Sequence, residues 1–369
     1  MQVTITVNMA AAAARGAMGA AEKISVELTI QYSFGLRRDN KTMATNDASA
    51  PLHVVGRFDD PYTGAERSLP DLVRALRGRR ETVLWSDVPP HPAFVAHGVR
   101  AIQPFAQAYP QGGQLLVGGV HVQLGPWLEL AQPLRVALRY NLPNHQRLFD
   151  AITRIRAATG IDPELIFVSR VLQMSVGLPG RVEPSLIRLD AYLDLPLARA
   201  ARGPVTVGRL SRDVIEKHDP QDIALYRQLA ARGIRVRIMG GTCLAPWLRD
   251  IPGVELLPVG AQEATQFLAS LDIFFYRTGS FTEPYGRVVL EAMAAGLPVV
   301  AAANGGYAEQ INQGVEGFLV QHQEEALHIL QRLVASAALR QQVGTAARAR
   351  ALAVHGPEAL EGMLQHYLS

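Results

Sequence analysis

"EPYGRVVLEAMAAGLPVVAAANGGYAE", residues 283–309, sets a carboxylate inside an otherwise apolar helical run and follows it with small and β-branched residues. Pro284 suits a first helical position, where its missing N–H has no partner to lose. Gly296 stands where a helix stop is wanted, and Pro298 enforces it. The spacing predicts a helix over 284–295 and a buried strand "PVVAAA" at 298–303. Glu283 then lies just before the helix and Glu291 two turns inside it. A buried, unpaired carboxylate is costly, so Glu291 requires a partner, either an arginine or the hydroxyls of a ligand.

Outward from this stretch, the chain alternates β-rich runs with helical segments. Upstream in the same half stand "VTVGRL" (205–210), a helix at 222–233, "IMGG" (238–241), "VELLPVG" (254–260), a helix at 261–271 and "DIFFYR" (272–277). An earlier half repeats the alternation, with "LHVVGRF" (52–58), an amphipathic stretch "SLPDLVRALRGR", "QLLVGGV" (114–120), "RVALRY" (135–140), a helix at 145–160 and "ELIFVS" (164–169). Strands alternating with helices predict an α/β chain of two Rossmann-like, doubly wound domains, with ligands in the cleft at the strands' carboxyl ends. The expected domains cover residues 51–196 and 204–356, joined by a linker at 194–204. Residues 357–369 are read as a helix that can return to the first domain. Residues 1–50, Ala/Gly-rich and then polar, are read as an extension outside the core, disordered apart from a short strand at "ISVELTI".

A chain of 369 residues with 48% hydrophobic and 19% charged residues has an ordinary globular balance. No apolar run is long enough for a membrane-spanning helix, and the start lacks the pattern of a secretory leader, so a cytoplasmic location is expected. The single cysteine, Cys243, excludes an internal disulfide and a cysteine-built metal site. The net charge of +3 gives no argument for nucleic acid. All but three of the 36 basic residues are arginine, and Lys217 is the sole lysine after residue 41. An isolated ammonium in an arginine-rich chain suits a diphosphate, as a flexible point charge.

Gly286 leaves the helix start bare, so backbone N–H groups near Arg287 and Val288 can reach an anion. Carboxylates only accept hydrogen bonds, so Glu283 and Glu291 suit hydroxyl pairs on either side of a phosphate. A sugar diphosphate has that arrangement. The whole stretch closely resembles the E-x7-E signature of the retaining, nucleotide-sugar-dependent glycosyltransferases of group 1, or family 4, which have the GT-B fold. In this chain Pro284 and Tyr285 stand in for a common Gly-Phe, and Arg287 for a usual leucine. The resemblance implies that Glu283 grips sugar hydroxyls, that Glu291 holds the ribose diol, and that backbone at Gly286, Arg287 and Val288 lies against sugar and phosphate.

"VGRLSRDVIEKHDPQD" (207–222) is similar to the family's arginine-then-lysine pair on the donor diphosphate. Arg209 matches the arginine. Lys217 follows eight residues later, farther than usual, and Arg212 competes for the role. "YTGAER" (62–67) resembles the family's G-G-x-E-R loop; Gly64 lets backbone approach the ligand, while Glu66 and Arg67 are read as helix-start residues. Gly240 is placed at a strand end near the base and ribose, and Gly305 and Gly306 in a turn that brings Glu309 towards the cleft.

On the acceptor side, His121 in "GGVHVQLG" and His145 in "RYNLPNH" are candidate catalytic histidines. Neither an Asp-x-Asp nor a His/Cys cluster marks a metal site, so Arg209, Lys217 and the helix start would offset the leaving group's charge. The expected donor is a UDP- or GDP-linked sugar, with no cofactor, and the acceptor a glycan or lipid-linked hydroxyl in cell-surface polysaccharide or glycoconjugate synthesis. Arg74, Arg77, Arg79, Arg80 and Arg100 could lean on an anionic membrane face. Two other readings compete: an epimerase or phosphorylase on the same fold, and a non-catalytic nucleotide-sugar-binding protein.

Overall fold

Two parallel sheets carry the chain, one in each half. The structure, a computed structural model, describes residues 2–9, 26–33, 50–197 and 203–369. The remainder of the expected N-terminal extension and residues 198–202 of the expected linker lie outside the described residues. A separate unit at the chain's start contains the antiparallel pair β1 (Gln2–Met9) and β2 (Val26–Ser33), with Val3 opposite Tyr32. Sequence reading finds β2 approximately, through "ISVELTI", and misses β1.

The first large sheet contains β3 (Leu52–Gly56), β4 (Thr82–Ser86), β5 (Arg100–Ala101), β6 (Gln114–Val117), β7 (Arg135–Tyr140), β8 (Glu164–Phe167) and β9 (Arg181–Val182). Their spatial order is β5-β4-β3-β6-β7-β8-β9. Val54 and Val55 point to opposite faces, yet both are fully buried, because helices cover both sides of the sheet. That is why these strands read as continuous apolar runs rather than as alternations.

The second sheet contains β10 (Thr206–Leu210), β11 (Arg235–Met239), β12 (Val254–Leu257), β13 (Ile273–Tyr276), β14 (Val299–Ala302) and β15 (Gly317–Val320), in the order β12-β11-β10-β13-β14-β15. Both sheets are thus doubly wound, the α/β architecture expected of a GT-B chain.

The last helix, Pro357–Leu368, contributes Met363, Leu364 and Tyr367 to the cluster formed by Leu52, Val54, Leu72, Leu116 and Ile166 of the first half. Its end is tied in further by polar bonds. The Tyr367 hydroxyl donates to Glu183 at 2.8 Å, Glu183 pairs with buried Arg139, and Arg80 donates to the Tyr367 carbonyl. Each buried side chain of this helix contributes about 1.5–3 kcal/mol. Among the described residues no helix is long and apolar enough to cross a membrane.

Candidate active site

In a doubly wound sheet the crevice opens where successive connections leave in opposite directions, at the strands' carboxyl ends. In the second sheet that point lies between β10 and β13, because the chain builds outward to β11 and β12 before crossing back. The residues that follow these two strands meet there.

After β10 a short turn, Ile215–Lys217, brings the Lys217 ammonium onto the Glu283 carboxylate, with the ammonium 3.5 Å from the Phe281 ring centroid. Tyr276, the last residue of β13, donates its hydroxyl to the same Glu283 oxygen at 2.5 Å. Burial pushes the Lys217 ammonium below its usual pKa, and the Glu283 charge opposes that shift. Burial raises the Tyr276 hydroxyl well above its usual value, so it stays a donor. Lys217 and Glu283 therefore stand together, as a cation and an acceptor within one small space.

Arg209 takes a different place from the one the resemblance implies. It is fully buried, donating to the carbonyls of Arg277 at 2.6 Å and Lys217 at 2.5 Å, with its plane over Tyr276. The guanidinium props up the turn that presents Lys217 and does not itself reach the crevice surface. Arg277, which sequence reading missed, pins the same loop through Asp219 and Asp222 at 2.6 and 2.7 Å.

Gly240 likewise supports rather than lines the site. Its φ is +74°, its carbonyl accepts from His218 Nε2 at 3.0 Å, and a Cβ there would lie 1.9 Å from the Ser211 carbonyl. Only glycine permits that approach of two backbones. Arg212, the competitor of Lys217, stands farther off, with its guanidinium 5.9 Å from the Phe281 ring centroid.

The helix expected over 284–295 spans Arg287–Ala294, and Gly286 is its N-cap with φ +79°. The left-handed turn at Gly286 delays the helix by three residues, since Pro284 and Tyr285 lie in the approach to it. No side chain caps the tip, so the first helical N–H groups, at Arg287 and Val288, are left for another acceptor.

Glu291 is only 2% exposed. Its carboxylate stands 3.7 Å from the Arg287 guanidinium one turn earlier and receives the Tyr192 hydroxyl. Arg287 in turn donates to the Leu186 carbonyl, lies 3.9 Å from Asp71, and packs its aliphatic stem against Gly64. The partner of Glu291 in this structure is therefore an internal arginine and a tyrosine. The expectation of an open ribose-facing carboxylate is corrected to that extent. The reason is local: the arginine that replaces the family's leucine occupies the i, i+4 position and is drawn to the acid.

On the first sheet the switch point lies between β3 and β6. The residues just beyond these strands, Arg57 and Val120 to Leu124, line a cavity of about 370 Å³ together with Arg147, Asp150 and Arg154 from the helix His145–Thr159. His121 lies in its wall, with Nε2 2.5 Å from Glu66, which Thr63 also meets through its hydroxyl. His145 is exposed at the start of its helix and lies outside this wall. Glu66 is 4% exposed and bound to His121, which makes it more than a helix-start residue. Glu309 accepts the Val171 N–H at 2.6 Å, linking the second half to the start of the helix Arg170–Val176.

Three of the five first-domain arginines are tied to partners within the fold. Arg80 is buried against carbonyls of Ala50 and Tyr367, Arg79 forms two bonds with Glu361, and Arg74 pairs with Asp71. Folding commits these charges to holding the first domain and its returning helix.

Residues 256–350 match the family model described as glycosyl transferases group 1. This segment is of the group 1 glycosyl transferase type. This glycosyl transferase segment contains the helix tip, both acids and Tyr276. D-inositol 3-phosphate glycosyltransferase of Streptomyces griseus is 38% identical over 96 residues, covering 26% of this chain and 20% of that protein. Its counterpart from Geodermatophilus obscurus is 31% identical over 147 residues, 40% of this chain and 30% of that protein. The matched segment thus spans about a third or less of these relatives' length. The fold is similar to that of Anabaena HepE, solved in complex with UDP and glucose, with a TM-score of 0.68 at 19% identity over 87% of this chain and 99% of that one. Sucrose-phosphate synthase from Thermosynechococcus elongatus superposes with a TM-score of 0.63 at 17% identity, covering 86% and 98%.

Proposed function

We propose that this chain is a retaining glycosyltransferase that moves a sugar from a UDP-linked donor to a hydroxyl of a glycan or lipid-linked acceptor. The observation that carries the reading is the Lys217–Glu283 pair at the β10/β13 crevice, beside the uncapped tip at Gly286. HepE, which shares the fold, is described in complex with UDP-glucose, and that supports uracil as the base.

In this reading the diphosphate lies on the N–H groups of Arg287 and Val288, and the Lys217 ammonium neutralises the charge that grows as the anomeric C–O bond breaks. Glu283 accepts hydrogen bonds from the sugar's hydroxyls. The acceptor oxygen attacks the same face that the diphosphate leaves, and its proton passes to the departing phosphate oxygen. Lys217 and the helix tip supply the electrostatic stabilisation without a metal ion. Arg209 and Arg277 act one step back, holding Lys217 in place.

Titration calorimetry with UDP-glucose and measurement of UDP release test this. We expect saturable donor binding and UDP release that accelerates with acceptor. K217A should lower kcat/KM about 10²–10³-fold, the range found for loss of a single charge-stabilising donor. E283A should weaken discrimination among donor sugars. Proton NMR of the product reports the anomeric configuration. Absence of UDP binding, or wild-type turnover in K217A, sinks the assignment.

A further inference from the structure

The loop that joins β3 to the helix Gly64–Ala75 reaches the second domain at Gly64 and at Tyr62. Gly64 lies against the Arg287 stem, where a Cβ would stand 3.0 Å from Arg287 Cδ. Two residues earlier the Tyr62 ring packs on the Gly260 backbone, where a Cβ would stand 2.5 Å from the Tyr62 hydroxyl oxygen. We propose that Tyr62 stacks on the base of the donor's nucleoside diphosphate and clamps it against the strand ends of the second domain. The inference rests on the glycosyltransferase reading for the nature of that ligand.

Sheet geometry locates the base. Lys217 and the helix tip at Gly286 follow β10 and β13, whereas Gly260 follows β12, at the edge of the same sheet. Three inter-strand steps of about 4.8 Å separate β13 from β12, about 14 Å in all. A nucleoside diphosphate with its phosphates at the helix tip, laid along the row of strand ends, brings its base to the loop after β12. Gly240 and Gly241, which follow β11, donate to the Leu257 carbonyl at 2.8 and 3.2 Å, and neither has a side chain to bar that path. In the other direction, beyond β14, Gly306 donates to the Glu283 carbonyl at 2.9 Å and Tyr307 is fully buried, so that side is closed.

Tyr62 itself suits the task. Its side chain is 50% exposed and stands beside an exposed glycine, so much of the ring is open to a planar ligand. Its backbone is fixed: the Tyr62 N–H donates to Asp60 Oδ1 at 2.9 Å, and the Thr63 hydroxyl to the Asp60 carbonyl at 2.9 Å. A rotatable ring on a held turn loses little freedom on binding. Gly260 has φ +73° and no Cβ, which leaves a flat peptide face against which ring and base can lie. Stacking holds any base through its π-face, so Tyr62 sets the position of the base and not its identity.

Calorimetry on the full chain, with UDP and GDP as probes, compares the wild type with Y62A, Y62L and Y62F. Y62A should weaken the nucleotide that the wild type binds about 5- to 100-fold, the range for loss of one base–aromatic stack. Y62L keeps apolar bulk without an aromatic face and should fall with Y62A, whereas Y62F should stay within about threefold of the wild type. In Y62W the nucleotide should quench tryptophan emission beyond any change in the wild type. Wild-type affinity in Y62A or Y62L, or no added quenching in Y62W, overturns the inference and leaves the donor reading standing. Binding of GDP in place of UDP, with the same loss in Y62A, supports the stack and overturns only the choice of uracil. Failure of the wild type to bind either nucleotide overturns the donor reading and this inference with it.

Discussion

Arg287 shows what one substitution does to a shared pattern. Where relatives' pattern has leucine, this chain places a guanidinium that touches the Leu186 carbonyl, approaches Asp71 and stands 3.7 Å from Glu291. R287L removes the nearest cation from a carboxylate that is almost wholly buried, so we expect a loss of about 1–3 kcal/mol, read as a lower urea midpoint. A ligand that meets Glu291 would then restore more stability to the variant than to the wild type. A larger thermal shift with UDP-glucose in R287L is the expected outcome, and an equal shift shows that donor and Glu291 do not meet.

His355 is a second residue with a definite consequence. It is buried against Tyr285, whose hydroxyl lies 2.6 Å from Nε2, and burial depresses its pKa to about 3. The folded pKa lies below the ordinary value near 6.5, so the unfolded chain takes up the proton first as pH falls. Stability from this group is complete above about pH 6.5 and declines from there towards pH 3, by about 2 kcal/mol at pH 5. Asp222, raised to about 7 by burial, acts in the opposite direction, so the comparison is made between wild type and H355Q. The wild type should lose about 2 kcal/mol more than H355Q between pH 7.5 and pH 5 in urea titrations. Parallel pH profiles contradict the buried neutral histidine.

At the scale of the element, the donor helix depends on its first bend. Alanine is the better helix former by about 1 kcal/mol, which by propensity alone would favour G286A. Gly286 lies before the helix, however, with φ +79°, and a Cβ there would stand 2.3 Å from Tyr307 Cδ1. Left-handed strain and overpacking against a fully buried ring outweigh propensity, for an expected loss of about 2–4 kcal/mol. Chemical denaturation of G286A gives the number, and a stabilised variant would mean that the turn is not left-handed. Strands β3, β6, β7 and β8 coincide with short apolar runs of the sequence, and these are readable because strands buried on both faces need no alternation. The start of the helix at Arg287 is not readable that way, since Pro284 carries an equally good start signal.

Over the whole molecule, the final helix makes the first domain depend on the end of the chain. Deleting residues 357–369 removes Met363, Leu364 and Tyr367 from that core and leaves Arg139 and Glu183 without the Tyr367 hydroxyl. Three such side chains contribute roughly 5–9 kcal/mol, comparable to the entire stability of a domain. We expect the truncated protein to lose cooperative unfolding of its first half, measured by hydrogen exchange on strands β3 to β8. Protection equal to that of the full chain would show the helix to be an accessory.

The sequence by itself determined the two α/β halves, the helix with one acid before it and one inside it, and the isolation of Lys217 in an arginine-rich chain. Those features are carried by run length, period and the rarity of a residue type, all of which are local along the chain. Tertiary structure alone decided that Glu291 meets Tyr192, that Arg209 lies beneath Lys217, that His121 and not His145 faces the cavity, and that most of the first-domain arginines are committed internally. The partner of a charged side chain depends on which distant segments packing brings within about 3 Å, the reach of a hydrogen bond. No spacing in the sequence encodes that proximity.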